Sequence, residues 1–283
     1  MADRHVLMPA AVGLALIAAF VVHAWHRADH PLIDLRLFRN RVLTQANVTM
    51  LVFAVAFFGA CLLLPSYFQQ VLHQTPMQAG VRMIPQGLGA MLTMRLAGPI
   101  VDRRGPGKIL LVGIALITAG LGAFAFGVAR QAAYWPTLLV GLAIMGLGMG
   151  CTMMPLSVAS VQALAPHQIA RATTLISVSH QVGGSMGTAL MSMILTNQFN
   201  RSQSISAANK LAALQQKAAT SGAPIDQSAI PRDSLTPGFS ANVLHDLSHA
   251  YTTVFVVAAV LVASTIFPAW FLPKKQATET ARE

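Results

Sequence analysis

Few residue groups in this chain combine types and spacing that could do chemistry. The densest is Gly98-Pro99-Ile100-Val101-Asp102-Arg103-Arg104-Gly105-Pro106-Gly107-Lys108. Asp102 stands just ahead of an apolar run, where a helix N-terminus favours a carboxylate. Arg103 and Arg104 can pair with it or with helix C-termini across an interface. Gly105 and Gly107 permit a tight turn, and Gly98 lets a neighbouring helix approach closely. An ordinary basic loop is the plain alternative, but the spacing of Gly, Asp, Arg, Gly and Lys favours a specialised gating loop. A second group is His180, beside Ser179 and Gln181. None of the nine acidic residues (Asp3, Asp29, Asp34, Asp102, Asp226, Asp233, Asp246, Glu279, Glu283) lies inside an apolar run, so His180 is the candidate for an embedded protonatable group. Its alternative role is a hydrogen-bonded packing residue. Gly183-Gly184-Ser185-Met186-Gly187 matches G-x-S-x-G, but a nucleophile elbow needs a strand–turn–helix setting. Here it falls within an apolar helix and reads as packing, so no enzyme is implied. Cys61 and Cys151, both in apolar runs, suit neither a disulfide framework nor a zinc site. No metal and no cofactor is implied.

The elements that must position these residues are long apolar runs. Of 283 residues, 54% are hydrophobic and only 10% charged, with a net charge of +10. Soluble domains carry charge on roughly a quarter of their residues. A nucleic-acid binder would concentrate its cations on a folded face, whereas here nearly all lie between apolar runs. Seven stretches have the roughly 20 apolar residues a bilayer-crossing helix needs: 6–25, 46–70, 80–101, 109–129, 136–160, 172–196 and 251–272. In lipid the backbone must satisfy its own hydrogen bonds, and continuous rather than alternating runs mean helices. The fold class is therefore an all-α polytopic membrane protein with seven transmembrane helices. The first run is too long for a signal-peptide core and lacks a small-residue cleavage site, so it reads as a retained span.

Orientation follows from Lys and Arg in the connections. Arg27, Arg36, Arg39, Arg41, Arg103, Arg104, Lys108, Arg171, Lys274, Lys275 and Arg282 fall on one side. Arg4, Arg130, Arg201, Lys210, Lys217 and Arg232 fall on the other. This bias places Met1 outside and the 273–283 tail in the cytoplasm of a plasma-membrane protein. Residues 26–45 read as a cytoplasmic amphipathic linker along the membrane surface, 46–196 as five spans, and 197–250 as an extracytoplasmic loop with helix-forming composition over Ser204 to Ala219. Turns are expected at Ser221-Gly222-Ala223-Pro224 and Thr236-Pro237-Gly238. Gly146 and Gly150, and Gly183 and Gly187, have the small-xxx-small spacing of close helix packing. Pro65, Pro85, Pro99 and Pro155 are either helix breaks or tolerated kinks. Met153, Met154, Met186, Met191 and Met193 suit an adaptable apolar pocket or simple core packing.

The run from Gly98 to Lys108 resembles the cytoplasmic loop motif of the major facilitator superfamily, in the copy found in its C-terminal half. Three further stretches resemble its fourteen-span drug:proton antiporter branch, the QacA/EmrB type: Leu63-Leu64-Pro65-Ser66-Tyr67-Phe68-Gln69-Gln70-Val71-Leu72, Gln78-Ala79-Gly80-Val81-Arg82-Met83-Ile84-Pro85-Gln86-Gly87-Leu88-Gly89, and Gln181-Val182-Gly183-Gly184-Ser185-Met186-Gly187-Thr188-Ala189. The resemblance covers essentially the whole chain but only the C-terminal half of the family architecture. It implies one linker helix (1–25) followed by a six-helix bundle that rocks against an N-terminal half around a midplane cavity. Asp102, Arg103 and Lys108 would then set the cytoplasmic gate, and Arg82, Gln86, Arg95, His180 and Gln181 are the candidates to face the cavity. Expected partners are membrane lipid, a small amphipathic substrate, protons and that N-terminal half, with no nucleic acid.

The chain departs from the family pattern at Arg95, where Pro is usual. A cation at mid-membrane costs about 2.5–3.5 kcal/mol or more, so Arg95 should face the bundle or a cavity, or snorkel toward the headgroups. The implied function is proton-coupled efflux of amphipathic compounds together with an N-terminal half. The alternatives are a half-length protein without transport of its own, or a seven-helix sensor. Against the last, the link after Asp102-Arg103-Arg104 is short and the last span has neither an Asn-Pro-x-x-Tyr motif nor a Lys.

Overall fold

A computed structural model describes the backbone of residues 8, 12–13, 15–16, 18–19, 41–161, 166–221 and 238–270. Side chains are described for most of these, but not for residues 41–43, 46, 102–104, 158–161, 166–172 and 217–221. The linker expected over 26–45 lies almost wholly outside the described residues, as do most of the two turns expected in 197–250. Of the first expected span, the described positions from Met8 to Ala19 are helical.

Helix is the only regular structure among the described residues. In chain order these are α1 (Arg41–Gln70), α2 (Pro76–Arg82), α3 (Ile84–Arg104), α4 (Pro106–Ala129), a π-helical turn (Tyr134–Leu138), α5 (Leu139–Val161), α6 (Pro166–Arg201), α7 (Gln203–Ser221), α8 (Phe239–Ser264) and α9 (Ile266–Trp270). Four helical stretches are long and apolar enough to cross a membrane: Asn47–Gln70, Pro106–Ala129, Tyr134–Ser157 and Phe239–Trp270. The run expected to span at 80–101 is divided between α2 and α3, and that at 172–196 falls in α6; α3 and α6 are long enough but more polar.

Proline and glycine set the boundaries. The expected span 80–101 is not continuous, because Pro85 has no N–H to offer the Val81 carbonyl. The chain turns at Met83, whose N–H bonds back to Ala79 and Gly80, and restarts with Pro85 in the first turn of α3. Thr75 opens α2 with a capping box: its hydroxyl accepts from the Gln78 N–H at 3.3 Å, and Gln78 Oε1 accepts from the Thr75 N–H at 3.1 Å. Pro65, Pro99 and Pro155 lie inside continuous helices and break none of them. The chain between 197 and 250 is mostly helix where described: α6 runs on to Arg201, α7 occupies the Ala- and Gln-rich segment, and α8 begins at Phe239. The last span is interrupted at Thr265, three residues before Pro268.

The bundle is organised by helix pairs. α1 lies along α6, α3 along α5, and α4 lies between α5 and α8, with α8 also touching α1. Gly183 meets Leu51 and Ala54, Gly187 meets Val55, and Met191 meets Gly59. Residue numbers rise together, so α1 and α6 run parallel. Gly146 against Gln86, and Gly150 against Ala90 and Met94, make α3 and α5 parallel too. Gly113 against Cys151, and Gly120 against Gly141, make α4 and α5 antiparallel. The core fills between α1, α4 and α8 with buried Phe53, Phe57, Tyr67, Phe68, Phe124, Tyr251 and Phe255. Rings there meet mostly edge-to-face, such as Phe124 on Phe255 at 5.1 Å and Tyr67 on Tyr251 at 5.5 Å.

Candidate functional site: a charged helix junction and the polar residues of the outer helices

The seven-residue link expected between the third and fourth spans is a single residue. Asp102, Arg103 and Arg104 belong to the last turn of α3, and α4 begins at Pro106. Asp102 is therefore not poised at the N-terminus of α4, as the sequence suggested, but at the C-terminal end of α3. The cause is local. A residue before proline is disfavoured in the α region, and Gly105 adopts φ 79°, ψ 160°, a conformation glycine takes without penalty. Gly105 alone makes the turn. Gly107 lies buried in the first turn of α4, and Lys108 is exposed. Gly98 admits no close backbone approach: a methyl there would meet only Met154 Cε, at 3.8 Å.

The four packing glycines sit where neighbouring backbones touch. A methyl on Gly146 would collide with the Gln86 carbonyl, and one on Gly187 with that of Val55. A methyl on Gly150 would lie 2.5 Å from the Ala90 oxygen, and one on Gly183 2.9 Å from Ala54 Cβ. Contacts this short leave no room for a side chain, so these glycines set the helix separation.

The five candidates for a cavity do not form one cluster. Arg82 is half-buried, with its guanidinium 4.8 Å from the centre of the Tyr134 ring, while the Tyr134 hydroxyl donates to the Arg82 carbonyl at 2.8 Å. Gln86 is buried on the α5-facing side of α3, its Nε2 3.9 Å from Cys61 Sγ on α1. Arg95 is exposed and points away from the described bundle, not into it. It continues a stripe of exposed Ile84, Leu88, Met91 and Leu92. His180 is half-buried, edge-on to Phe58 at 4.8 Å, and Gln181 is exposed beside it. The five methionines share no pocket: Met191 is buried, whereas Met186 and Met193 are exposed.

Two polar features escaped the sequence reading. Asn47 is 5% exposed in the second turn of the apolar α1, and its Oδ1 has no hydrogen-bond partner. Ser202 donates to Asp246 Oδ2 at 2.6 Å while accepting from the Ile205 N–H at 3.1 Å, tying the start of α7 to α8. The signal for Asn47 was a lone amide in an apolar run. Nothing in the spacing of Ser202 and Asp246 announced their contact. Among the described residues no group of three or more His, Cys, Asp or Glu is placed to hold a metal ion.

Parallel and antiparallel helices packed through glycine, four of their stretches long and apolar enough to cross a membrane, fit a polytopic membrane protein. The Major Facilitator Superfamily profile matches residues 5–195, and the chain belongs to that family. It is 66% identical over 278 residues to the multidrug resistance protein B homolog of Mycobacterium tuberculosis H37Rv, covering 98% of this chain and 51% of that protein. Drug efflux pump JefA from the same species is 31% identical over 64% of this chain and 35% of its own length. Puromycin resistance protein pur8 of Streptomyces alboniger is 29% identical over 69% of this chain and 39% of its own. The chain thus spans about half the length of the most similar of these relatives. The two parallel glycine-packed pairs fit the nested repeats within each half of this fold.

Proposed function

We propose that the chain is the C-terminal half of a fourteen-span drug:proton antiporter. Together with an N-terminal half it exports amphipathic small molecules by proton-coupled alternating access. The observation that carries this reading is the character of α3 and α6. Each packs one face into the bundle through glycine and leaves the opposite face uncovered. On α3 that face carries Arg95 among Leu88, Met91 and Leu92; on α6 it carries Gln181 and Ser185 among Val182, Met186 and Met193. Lipid alone is a poor neighbour for an arginine and for exposed amides and hydroxyls. A second half enclosing a water-filled cavity suits them. The names of the relatives support drugs as the substrate class, and their greater length supports the second half.

On this reading Met1 lies outside and the 273–283 tail lies in the cytoplasm of a plasma-membrane protein. The Gly105 turn faces the cytoplasm, where Asp102, Arg103 and Lys108 act as a gate. Efflux of a fluorescent cationic dye from proteoliposomes under an imposed pH gradient tests the proposal. The chain co-assembled with the N-terminal half of a close relative should export dye, and the chain alone should not. Export by the chain alone would overturn the half-transporter reading.

A further inference from the structure

The exposed positions of α4 form one stripe: Lys108, Val112, Ala115, Ala119, Gly122 and Phe126, spaced three or four apart and ending beside Arg130. α5 and α8 pack along other faces of the same helix. Between its cationic ends the stripe is wholly apolar. At a rise of about 1.5 Å per residue, Lys108 to Arg130 is about 33 Å long, close to the roughly 30 Å of bilayer hydrocarbon. One cation therefore falls at each headgroup level.

The Arg130 end is the more closely built. Gln131 takes φ 48°, and the N–H groups of Gln131 and Ala132 bond to the Val128 and Gly127 carbonyls at 3.0 and 2.9 Å. This Schellman turn takes the chain off α4 at once. Arg130 is exposed, yet its guanidinium folds back one helical turn and lies 4.6 Å from the centre of the Phe126 ring. Phe126 is itself 55% exposed, and Trp135, just past the short link to the next span, is 71% exposed. Contact with a ring face uses none of the five guanidinium N–H donors. Asp246, the only carboxylate among the described side chains, is bonded to Ser202.

We infer that this corner of α4 binds the headgroup of an anionic phospholipid, in the leaflet opposite the Gly105 turn. Arg130 donates two parallel N–H bonds to the phosphodiester oxygens. Phe126 beneath it and Trp135 across the link cover the glycerol and the first acyl carbons, the depth at which aromatic rings collect in membrane proteins. An acyl chain lies along Ala115, Ala119 and Gly122, where side chains are small and nothing stands within 4 Å of a Gly122 Cβ. A lipid fits this site and a free phosphate does not, because the exposed ring and the apolar stripe gain only from a ligand with a hydrocarbon tail. A zwitterionic headgroup would bring an ammonium against Arg130, so net negative headgroups are preferred. The site rests on the packing and charge of α4 and does not depend on the transport reading above.

The test is a titration of the purified full chain with phosphatidylglycerol or phosphatidylcholine in detergent, with bound lipid counted by native mass spectrometry. Phosphatidylglycerol should bind in preference, and Arg130→Ala should weaken it about five- to tenfold. Lys210→Ala removes an exposed cation from α7, away from the site, and should leave binding unchanged. Phe126→Leu keeps an apolar surface without the ring and should weaken binding less than Arg130→Ala. Both altered side chains are exposed, so the variants should keep the thermal unfolding midpoint of the parent chain. Equal losses in the Arg130 and Lys210 variants would reduce the effect to net charge and overturn the site. Equal binding of phosphatidylcholine would overturn the preference for anionic lipid. Displacement of the lipid by inorganic phosphate at the same concentration would identify a free-anion site and overturn the lipid assignment.

Discussion

The Tyr251 hydroxyl on α8 donates to Gln70 Oε1 at the end of α1, at 3.1 Å. The ring that carries it packs against Tyr67, Phe199 and Phe255. One residue thus ties the end of α1 to the middle of α8 while filling the aromatic core between them. Tyr251→Phe keeps the ring and loses one hydrogen bond, about 0.5–1.5 kcal/mol. Tyr251→Ala empties the site and should cost about 3–5 kcal/mol. Thermal unfolding in detergent should rank the two in that order by a wide margin.

Glycine substitutions should divide by position. Gly146→Ala and Gly187→Ala force a methyl into the Gln86 and Val55 carbonyls and should destabilise by about 1–3 kcal/mol, with reduced yield of folded chain. Gly87 and Gly122 have nothing within 4 Å, so Gly87→Ala and Gly122→Ala should be neutral or stabilising by up to about 1 kcal/mol. Equal losses at all four positions would contradict the packing.

Ser202 serves two partners, capping α7 and bonding Asp246. Ser202→Ala removes both interactions, and Asp246→Asn weakens only the second. Hydrogen exchange over residues 203–216 should therefore accelerate more in the serine variant. The double variant should add little to Ser202→Ala alone, since the two changes share one bond.

At the junction of α2, α3 and the π-helical turn, Tyr134 bonds the backbone carbonyl of Arg82, not its side chain. Arg82→Ala should spare that bond and lose only the cation–ring contact, about 0.5–1 kcal/mol. Tyr134→Phe should lose the hydrogen bond and keep the ring beneath the guanidinium. If Arg82 also served substrate, Arg82→Ala would reduce dye efflux far more than it reduces thermal stability.

What the amino-acid sequence determined alone was what depends on local composition: an all-helical membrane protein, the family signature around Gly105, and four of the glycines that approach a neighbour, Gly146, Gly150, Gly183 and Gly187. Long apolar runs permit only helix in lipid, and a missing Cβ is visible in any sequence. Helix ends were less legible, since Asp102 to Arg104 stay helical until Gly105 turns the chain at φ 79°, and α6 runs on to Arg201. Tertiary structure alone decided which face of each helix is covered. It turned Arg95 outward, set Arg82 on Tyr134, and brought Ser202 to Asp246. It also brought the Tyr251 hydroxyl to Gln70, 181 positions away in the chain. Partners so distant meet only through helix register, and register is set by the fit of two whole surfaces, which no single segment encodes.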